Sequence, residues 1–159
     1  MLRDQPVIEH LNTQLTNELT AVNQYFLHAR TLAHWGVAKL GKHEYAESIE
    51  EMKHADVLIQ RILFLDGLPN VQRLNQIAVG ETVEEILEAD LRLEEKALDD
   101  PREAIAYCES TRDFVSRDLL LHILENEEEH VDFLECQFDL IKRIGMERYI
   151  LLNAASASD

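Results

Sequence analysis

The sequence EMKHAD, residues 51–56, returns in altered form as ENEEEHVD at residues 125–132. Each stretch contains a glutamate followed three residues later by a histidine, and the two pairs are 76 residues apart. Residues at this spacing share one face of an α-helix, about 4.5 Å apart along its axis, so both side chains can meet one metal ion. The pairs are Glu51 with His54 and Glu127 with His130.

Two further glutamates repeat at the same distance, because Glu94 follows Glu18 by 76 residues. Both lie in apolar helical stripes, where a carboxylate must be paired, protonated or bound to metal. Tyr25, two turns after Glu18, is expected either to hydrogen-bond a ligand acid or to be an ordinary core tyrosine. Two Glu-x-x-His pairs plus a Glu from each of two other helices form the carboxylate-bridged dinuclear site of a four-helix bundle. The predicted metal ligands are Glu18, Glu51, His54, Glu94, Glu127 and His130.

The composition is that of a helical protein that attracts cations. The chain has 159 residues, of which 46% are hydrophobic, but only 5 Gly and 3 Pro. We therefore expect one domain, residues 1–159, built from long helices. The net charge of −16 disfavours nucleic acid and anionic membranes as partners. No apolar run has the length of a signal peptide, and Cys108 and Cys136 lack metal-ligand spacing, so a cytoplasmic location with reduced cysteines is expected.

Apolar residues that recur at intervals of three and four predict four long helices and a short fifth. Gly36 and Gly41 are expected to bracket a short turn after the first helix. Pro101 is expected to kink or break the third helix, because proline lacks the N–H that a helix interior requires. The predicted helices span residues 5–34, 42–65, 82–110, 113–144 and 146–155.

The segment of residues 66–81 is too long for an antiparallel turn but long enough to run back along a bundle. The second and third helices are therefore predicted to be parallel and joined by a crossover. The repeat also includes core positions, since Leu11 is matched by Leu87 and Leu58 by Leu134 at the same offset. The sequence thus predicts a pseudo-two-fold bundle with half of the metal site on each helix pair.

The predicted ligand set suits two divalent cations, because four carboxylates supply a charge that two such ions balance. Oxygen and nitrogen ligands together suit iron, manganese or zinc. Zinc cannot change its oxidation state, so a bridged redox pair points to iron. Two adjacent ferrous ions can give two electrons together to oxygen or peroxide. The expected arrangement has Glu51 and Glu127 as bridges, Glu18 and His54 on one ion, and Glu94 and His130 on the other.

Four stretches resemble the bacterioferritin family, and the resemblance runs from about residue 1 to residue 152: NELTAVNQYFLHAR, ESIEEMKHAD, RILFLDGLPN and DFVSRDLL. The resemblance implies an all-α, ferritin-like four-helix bundle, with the six predicted ligands as a di-iron ferroxidase centre. It also implies a cage of twenty-four subunits around a ferric mineral, haem b between paired subunits, and a small ferredoxin that supplies electrons for iron release. Ala46 and Glu50 stand where some members carry an inner-surface His and Asp iron site; Glu50 could bind iron, whereas Ala46 cannot.

Met52 is the residue that would connect this chain to haem. Helical geometry points Met52 about 100° away from Glu51, out of the bundle. The second helix is apolar on a face where the fourth is acidic, so something is expected to cover that face. The residues alone predict a dimer interface, and the resemblance adds a haem held by Met52 of each of two subunits. The apolar residues and their acidic counterparts are Ile49 with Glu125, Met52 with Glu128, and Ile59 with Glu135.

Three other interpretations are compatible with the ligand pattern. A soluble, rubrerythrin-like di-iron oxidase or peroxidase would store no iron, but that class lacks the apolar outer stripe and usually adds a rubredoxin-like cysteine module. A haem-free ferritin subunit could assemble into a mixed cage. A non-catalytic binding bundle would leave four acids on core stripes unexplained. The sequence leaves open the preferred oxidant, the iron load and whether a cage contains one kind of subunit.

Overall fold

Six α-helices account for most of residues 4–155, the part of the chain that this computed structural model describes. Within that range there is no β-strand, and the predicted all-α fold is confirmed. Both ends of the predicted domain lie outside the described residues. No helix in this range combines the length and hydrophobicity needed to cross a membrane. The helices are α1 (Gln5–His34), α2 (Ala38–Phe64), α3 (Val83–Lys96), α4 (Asp99–Ser110), α5 (Phe114–Ile144) and α6 (Met146–Asn153).

The crossover between α2 and α3 runs along α1, in the same direction as that helix. Polar side chains on one face of α1 accept hydrogen bonds from backbone N–H groups of the crossover. The crossover therefore returns the chain to the end of the bundle where α2 begins, so α2 and α3 are parallel, as predicted. The acceptor and donor pairs, in order, are Asn12 with Asn70, Thr20 with Asn75, Gln24 with Ala78, and His28 with Gly80.

The prediction that Gly41 borders a turn is wrong, because α2 begins at Ala38 and includes Gly41. A Cβ atom at Gly41 would lie 3.1 Å from the carbonyl oxygen of Ala29 and 3.2 Å from the backbone nitrogen of Ala33. The glycine thus permits close packing of α2 on α1. The turn itself contains Gly36, whose φ of +84° lies in the region that favours glycine.

The third bundle helix is interrupted, as predicted, and α3 and α4 together occupy its place. The break falls between Lys96 and Asp99, just before Pro101. Pro101 is the third residue of α4, where a backbone N–H would have no partner within the helix, so the proline costs little there.

Two apolar clusters lie at different levels of the bundle, and the predicted ligands, on α1, α2, α3 and α5, lie between them. One cluster contains Leu11 of α1 and Leu58 of α2. The other contains Leu32 of α1 and Leu40 of α2. The intervening layer is polar and buried, which places the carboxylates and histidines in a water-poor interior.

Candidate metal centre

All six predicted ligands meet in the buried layer between the two apolar clusters, and none is more than 8% exposed. They form two groups, and in each group one ligand atom from every residue lies within 4.8 Å of the others. Glu51 and Glu127 belong to both groups, which is the arrangement that two ions with shared bridging carboxylates require. We call the group completed by Glu18 and His54 the first position, and the group completed by Glu94 and His130 the second position.

Several ligand atoms in this cluster have no hydrogen-bond partner among the described residues. A buried polar atom left in this state costs about 1–3 kcal/mol, so the cluster is poised to accept cations or protons. Carboxylate oxygens and imidazole nitrogens are a donor set that suits divalent transition metals, so the residues fit two such ions. The unpartnered atoms are Glu18 Oε2, Glu51 Oε1 and Oε2, His54 Nδ1, Glu94 Oε2 and His130 Nδ1.

Burial and mutual repulsion change the protonation of the acids. Burial, aided by the charge of Glu51, raises the pKa of Glu18 to about 8. Burial and the charge of Glu94 raise the pKa of Glu127 well above its ordinary value. Burial also acts to raise the pKa of Glu51, but close contacts with Glu18 and the two histidines outweigh it, so this pKa is lowered.

The two histidines respond in the opposite sense. Burial acts to lower the pKa of His54, but close contacts with Glu18 and Glu51, and the charges of these two acids, outweigh it and raise this pKa to about 10. The pKa of His130 is also raised, because its acidic neighbours, Glu47 first among them, outweigh burial. Without metal, the cluster therefore holds protons in place of cations.

Glu18 and Glu94 each belong to one metal position only, and we call them the terminal carboxylates. One oxygen of each accepts a hydrogen bond from a side chain of α1. Gln14 donates a hydrogen bond of 2.9 Å from Nε2 to Glu18 Oε1. The hydroxyl of Tyr25 donates one of 2.6 Å to Glu94 Oε1. Of the two roles left open for Tyr25, the structure therefore shows the hydrogen bond to a predicted ligand acid. Burial, followed by the charge of Glu94, raises the pKa of Tyr25, so the phenol keeps the proton that it donates.

The outer nitrogens of the two histidines have partners that the sequence did not reveal. His54 Nε2 lies 2.8 Å from the amide nitrogen of Asn126. His130 Nε2 forms an ion-pair contact with Glu47. Both histidines thus direct Nδ1 towards the cluster, with His130 Nδ1 3.2 Å from Glu51 Oε1. Glu47 lies one turn before Glu51 on α2. This helical spacing from a predicted ligand was the sequence signal that could have identified Glu47 as a residue near the centre.

A second buried polar group, beside the predicted ligands, was also missed. Asp90 accepts hydrogen bonds of 2.9 Å from Gln24 Nε2 and from His28 Nδ1. Because His28 Nε2 accepts the N–H of Gly80, Nδ1 carries the proton of this imidazole. Burial, followed by the charge of Asp90, raises the pKa of Glu44 well above its ordinary value. Asp90 stands 76 residues after Gln14, so the repeat pairs it with another buried polar residue.

The outer face of α2 is apolar, although less extensively than predicted. Met52 is 49% exposed, and Ile49 is 40% exposed. Ile59, which was placed on the same face, is partly buried and packs against the core. Ala46 is exposed, and Glu50 belongs to neither metal-binding group found among the described residues.

A cavity of about 420 Å³ lies beside the centre, bounded by α1, the crossover and α3. Its wall includes Glu94 and Glu127, and also the cationic residues Arg92 and Lys96. The predicted ligands are therefore buried but bordered by a space large enough for small molecules.

Comparison with known proteins agrees with this geometry. The family described as a ferritin-like domain matches residues 8–144. The bacterioferritin of Brucella melitensis biotype 1 is 49% identical over 159 residues, which cover 100% of this chain and 99% of the relative. The bacterioferritin of Streptomyces coelicolor is 49% identical over 150 residues, covering 94% and 90%. That of Rhodobacter capsulatus is 49% identical over 155 residues, covering 98% and 96%. Since these similarities span nearly all of each chain, the protein belongs to the bacterioferritin family.

Proposed function

We propose that this protein stores iron and that it oxidises Fe(II) to Fe(III) at the six-residue centre. The observation that carries the proposal is the pair of buried ligand groups that share Glu51 and Glu127. A single-ion site would not need two bridging carboxylates, and a structural polar layer would not leave so many of its atoms unpartnered. Membership of the bacterioferritin family supports the storage role.

In the proposed reaction, ferrous iron is the substrate at both positions. Two adjacent Fe(II) ions give two electrons to one molecule of either oxygen or hydrogen peroxide. If the oxidant is oxygen, it also takes up two protons and becomes hydrogen peroxide. If the oxidant is hydrogen peroxide, it takes up two protons and becomes two molecules of water. The chain orients the ions through His54 and His130, while Gln14 and Tyr25 fix the terminal carboxylates. Binding of the ions displaces protons from the histidines, whose pKa values are raised in the metal-free centre. The adjoining cavity offers the small oxidant a way to Glu94 and Glu127.

Substitution of the ligands tests this assignment. We expect Glu18→Ala, Glu51→Ala or His130→Ala to slow Fe(II) oxidation about tenfold or more at two irons per subunit, since an outer partner of a ligand alone accounts for 10–100-fold in affinity. Stopped-flow absorbance of ferric iron measures the rate, and circular dichroism checks that the helices persist. Glu128→Ala is the matched control, because Glu128 adjoins Glu127 but its side chain is 58% exposed. Wild-type rates in the ligand variants would contradict the assignment.

The proposal includes assembly into a cytoplasmic cage of twenty-four subunits, whether of one kind or mixed with a second ferritin subunit. Its support is the apolar outer face of α2, which an isolated subunit would leave in water. The assembled protein should elute far above the 18.4 kDa of one chain. A stable monomer or dimer that still oxidises iron would favour a soluble di-iron oxidase that stores none.

We also propose that haem b would be shared by paired subunits and held by Met52 of each subunit. The residues fit: Tyr45, Ile49 and Met52 follow one another at helical spacing, and each is at least 40% exposed. A thioether on an apolar face suits haem, which when bound would carry electrons from a small ferredoxin to stored ferric iron.

The haem proposal predicts that Met52→Ala abolishes haem binding and slows reductive iron release, while Fe(II) oxidation continues nearly unchanged. A pyridine haemochrome assay on protein produced with haem available measures the bound haem. Val57→Ala is the control, because Val57 is an exposed apolar residue of α2 that points away from Met52. Equal haem content in Met52→Ala and wild type would leave Met52 as an interface residue alone.

A further inference from the structure

The outer nitrogens of the two histidines have chemically different partners, although the ligands themselves repeat. His130 Nε2 contacts a carboxylate oxygen of Glu47 on α2. His54 Nε2 faces the amide of Asn126 on α5 at 2.8 Å. We infer that Glu47 and Asn126 are positioning residues that make the two metal positions unequal, so that the second position binds a divalent cation more tightly than the first.

The two copies of the internal repeat also differ in sequence at the positions of these partners. At the offset of 76 residues, the counterpart of Glu47 is Ile123, a buried apolar residue, so that site offers His54 no carboxylate. The counterpart of Asn126 is Glu50. Glu50 Oε1 lies 3.9 Å from His54 Nε2, which is too far for a hydrogen bond, and its side chain is 42% exposed. Among residues 4–155, only the second position therefore has a carboxyl group in contact with the outer nitrogen of its histidine.

The chemistry of a coordinated imidazole gives the direction of the effect. A neutral histidine that binds metal through Nδ1 carries its proton on Nε2. At the second position this N–H donates to the carboxylate of Glu47, and such a charge-assisted hydrogen bond fixes the ring and raises the basicity of Nδ1. At the first position the amide of Asn126 can accept only through its oxygen, so the carboxamide must rotate by 180° from the orientation seen here. A neutral amide oxygen also raises the basicity of its partner less.

Unequal positions would give the centre an order of filling and emptying. The second position fills first, and an ion at the first position is the one that leaves most readily. This inference rests on the proposed function, because it requires both positions to bind metal.

Zinc is a suitable probe, because Zn²⁺ occupies such ligands without being oxidised. Calorimetric titration of the assembled, metal-free protein should resolve two steps of one ion per subunit, separated roughly 10–100-fold in affinity. Glu47→Gln should weaken the tighter step by a similar factor, whereas Asn126→Asp should tighten the weaker step. Glu50→Gln removes the same charge from the same helix and should leave the tighter step unchanged, which separates a specific contact from general electrostatics.

Diffraction from crystals given one zinc per subunit assigns the steps to positions, through the anomalous signal. The expected result is a stronger signal between Glu94 and His130, which moves towards equal occupancy in Glu47→Gln. Equal occupancy in the wild type, or a tighter step that Glu47→Gln leaves unchanged, would overturn the inference while sparing the proposed function. Binding of fewer than two ions per subunit, with the helices intact, would instead contradict the proposed function. Asn126→Asp conserves side-chain size and provides the test if Glu47→Gln fails to fold.

Discussion

The two halves of the candidate metal centre have the same types of ligand residue but different surroundings. The first half lies on α1 and α2 and the second on α3, α4 and α5; α2 and α5 begin at Ala38 and Phe114, which are 76 residues apart. Where the continuous helix α1 carries Tyr25, the second half carries Pro101, and there the chain is divided into α3 and α4. The repeat thus preserves the ligand spacing and the starts of α2 and α5, while helix continuity differs between the halves.

The unbroken helix α1 serves both positions. Gln14 binds the terminal carboxylate of its own half, Glu18, whereas Tyr25 reaches across the bundle to Glu94 in the other half. Side chains of α1 also accept the hydrogen bonds that the backbone of the crossover donates. One helix therefore orients ligands of both halves, which explains how the second half can contain a break between two of its helices and still hold its glutamate in place.

The largest expected effect distinguishes a ligand that bridges both metal positions from a ligand that belongs to one position. Glu51→Ala should weaken Zn²⁺ binding at both positions by about 100-fold or more, since even an outer partner of a ligand accounts for 10–100-fold. Glu18→Ala should weaken binding at the first position only and leave one ion per subunit tightly bound. Calorimetric titration measures the affinity for Zn²⁺ and the number of ions bound per subunit in each variant. If Glu18→Ala and Glu51→Ala had the same effect, the centre would not be bridged.

The clustering of the six proposed ligands was predictable because three pairs of residues repeat at one spacing. Their outer partners were not, because neither has a counterpart of its own kind: Glu47 is matched by Ile123, and Asn126 by Glu50. Only the packing of α2 beside α5 shows that Glu47 contacts His130. An internal repeat therefore reveals the functional residues that both halves have in common. It gives no information about a residue that acts in one half only.

The turn before α2 was misplaced for a related reason. Glycine signals a turn in a sequence, but Gly41 serves close helix packing, and this depends on Ala29 and Ala33 of another helix. The repeat contained the missing information, since Gly41 corresponds to Arg117 in the first turn of α5. A long side chain at the equivalent position indicates helix rather than turn.

A smaller effect is expected where the two halves pack differently. Gly41→Ala would place a methyl group 3.1 Å from the backbone oxygen of Ala29, so α1 and α2 would have to separate. We expect a loss of about 1–3 kcal/mol in the free energy of unfolding. Arg117→Ala, at the equivalent position, should cost less than Gly41→Ala, because it removes only partly exposed ion pairs. Thermal and denaturant unfolding of the metal-free proteins measure the free energy of unfolding of both variants. Equal losses of stability in the two variants would contradict the difference in packing.

The smallest expected effect concerns pH and the first half alone. In the metal-free protein the pKa of Glu18 is raised from 4.5 to about 8, so the folded state binds more protons than the unfolded state between these values. The stabilising contribution of the protonated acid is then complete below about pH 4.5 and is lost as pH rises through about 8. Glu18→Gln cannot ionise, so its melting temperature relative to wild type should rise between pH 5 and pH 8.

Calorimetry in the presence of a chelator measures this difference, and Glu9→Gln is the control, because Glu9 is exposed on the same helix. With Zn²⁺ bound, the trend should reverse, since the cations replace the protons and stabilise the ionised carboxylates. The wild type should then gain stability over Glu18→Gln as pH rises, because only Glu18 can supply the missing negative charge to the first position. A difference between the two proteins that is independent of pH and of metal would show that Glu18 is a structural polar residue, and the first half would then not be a metal position at all.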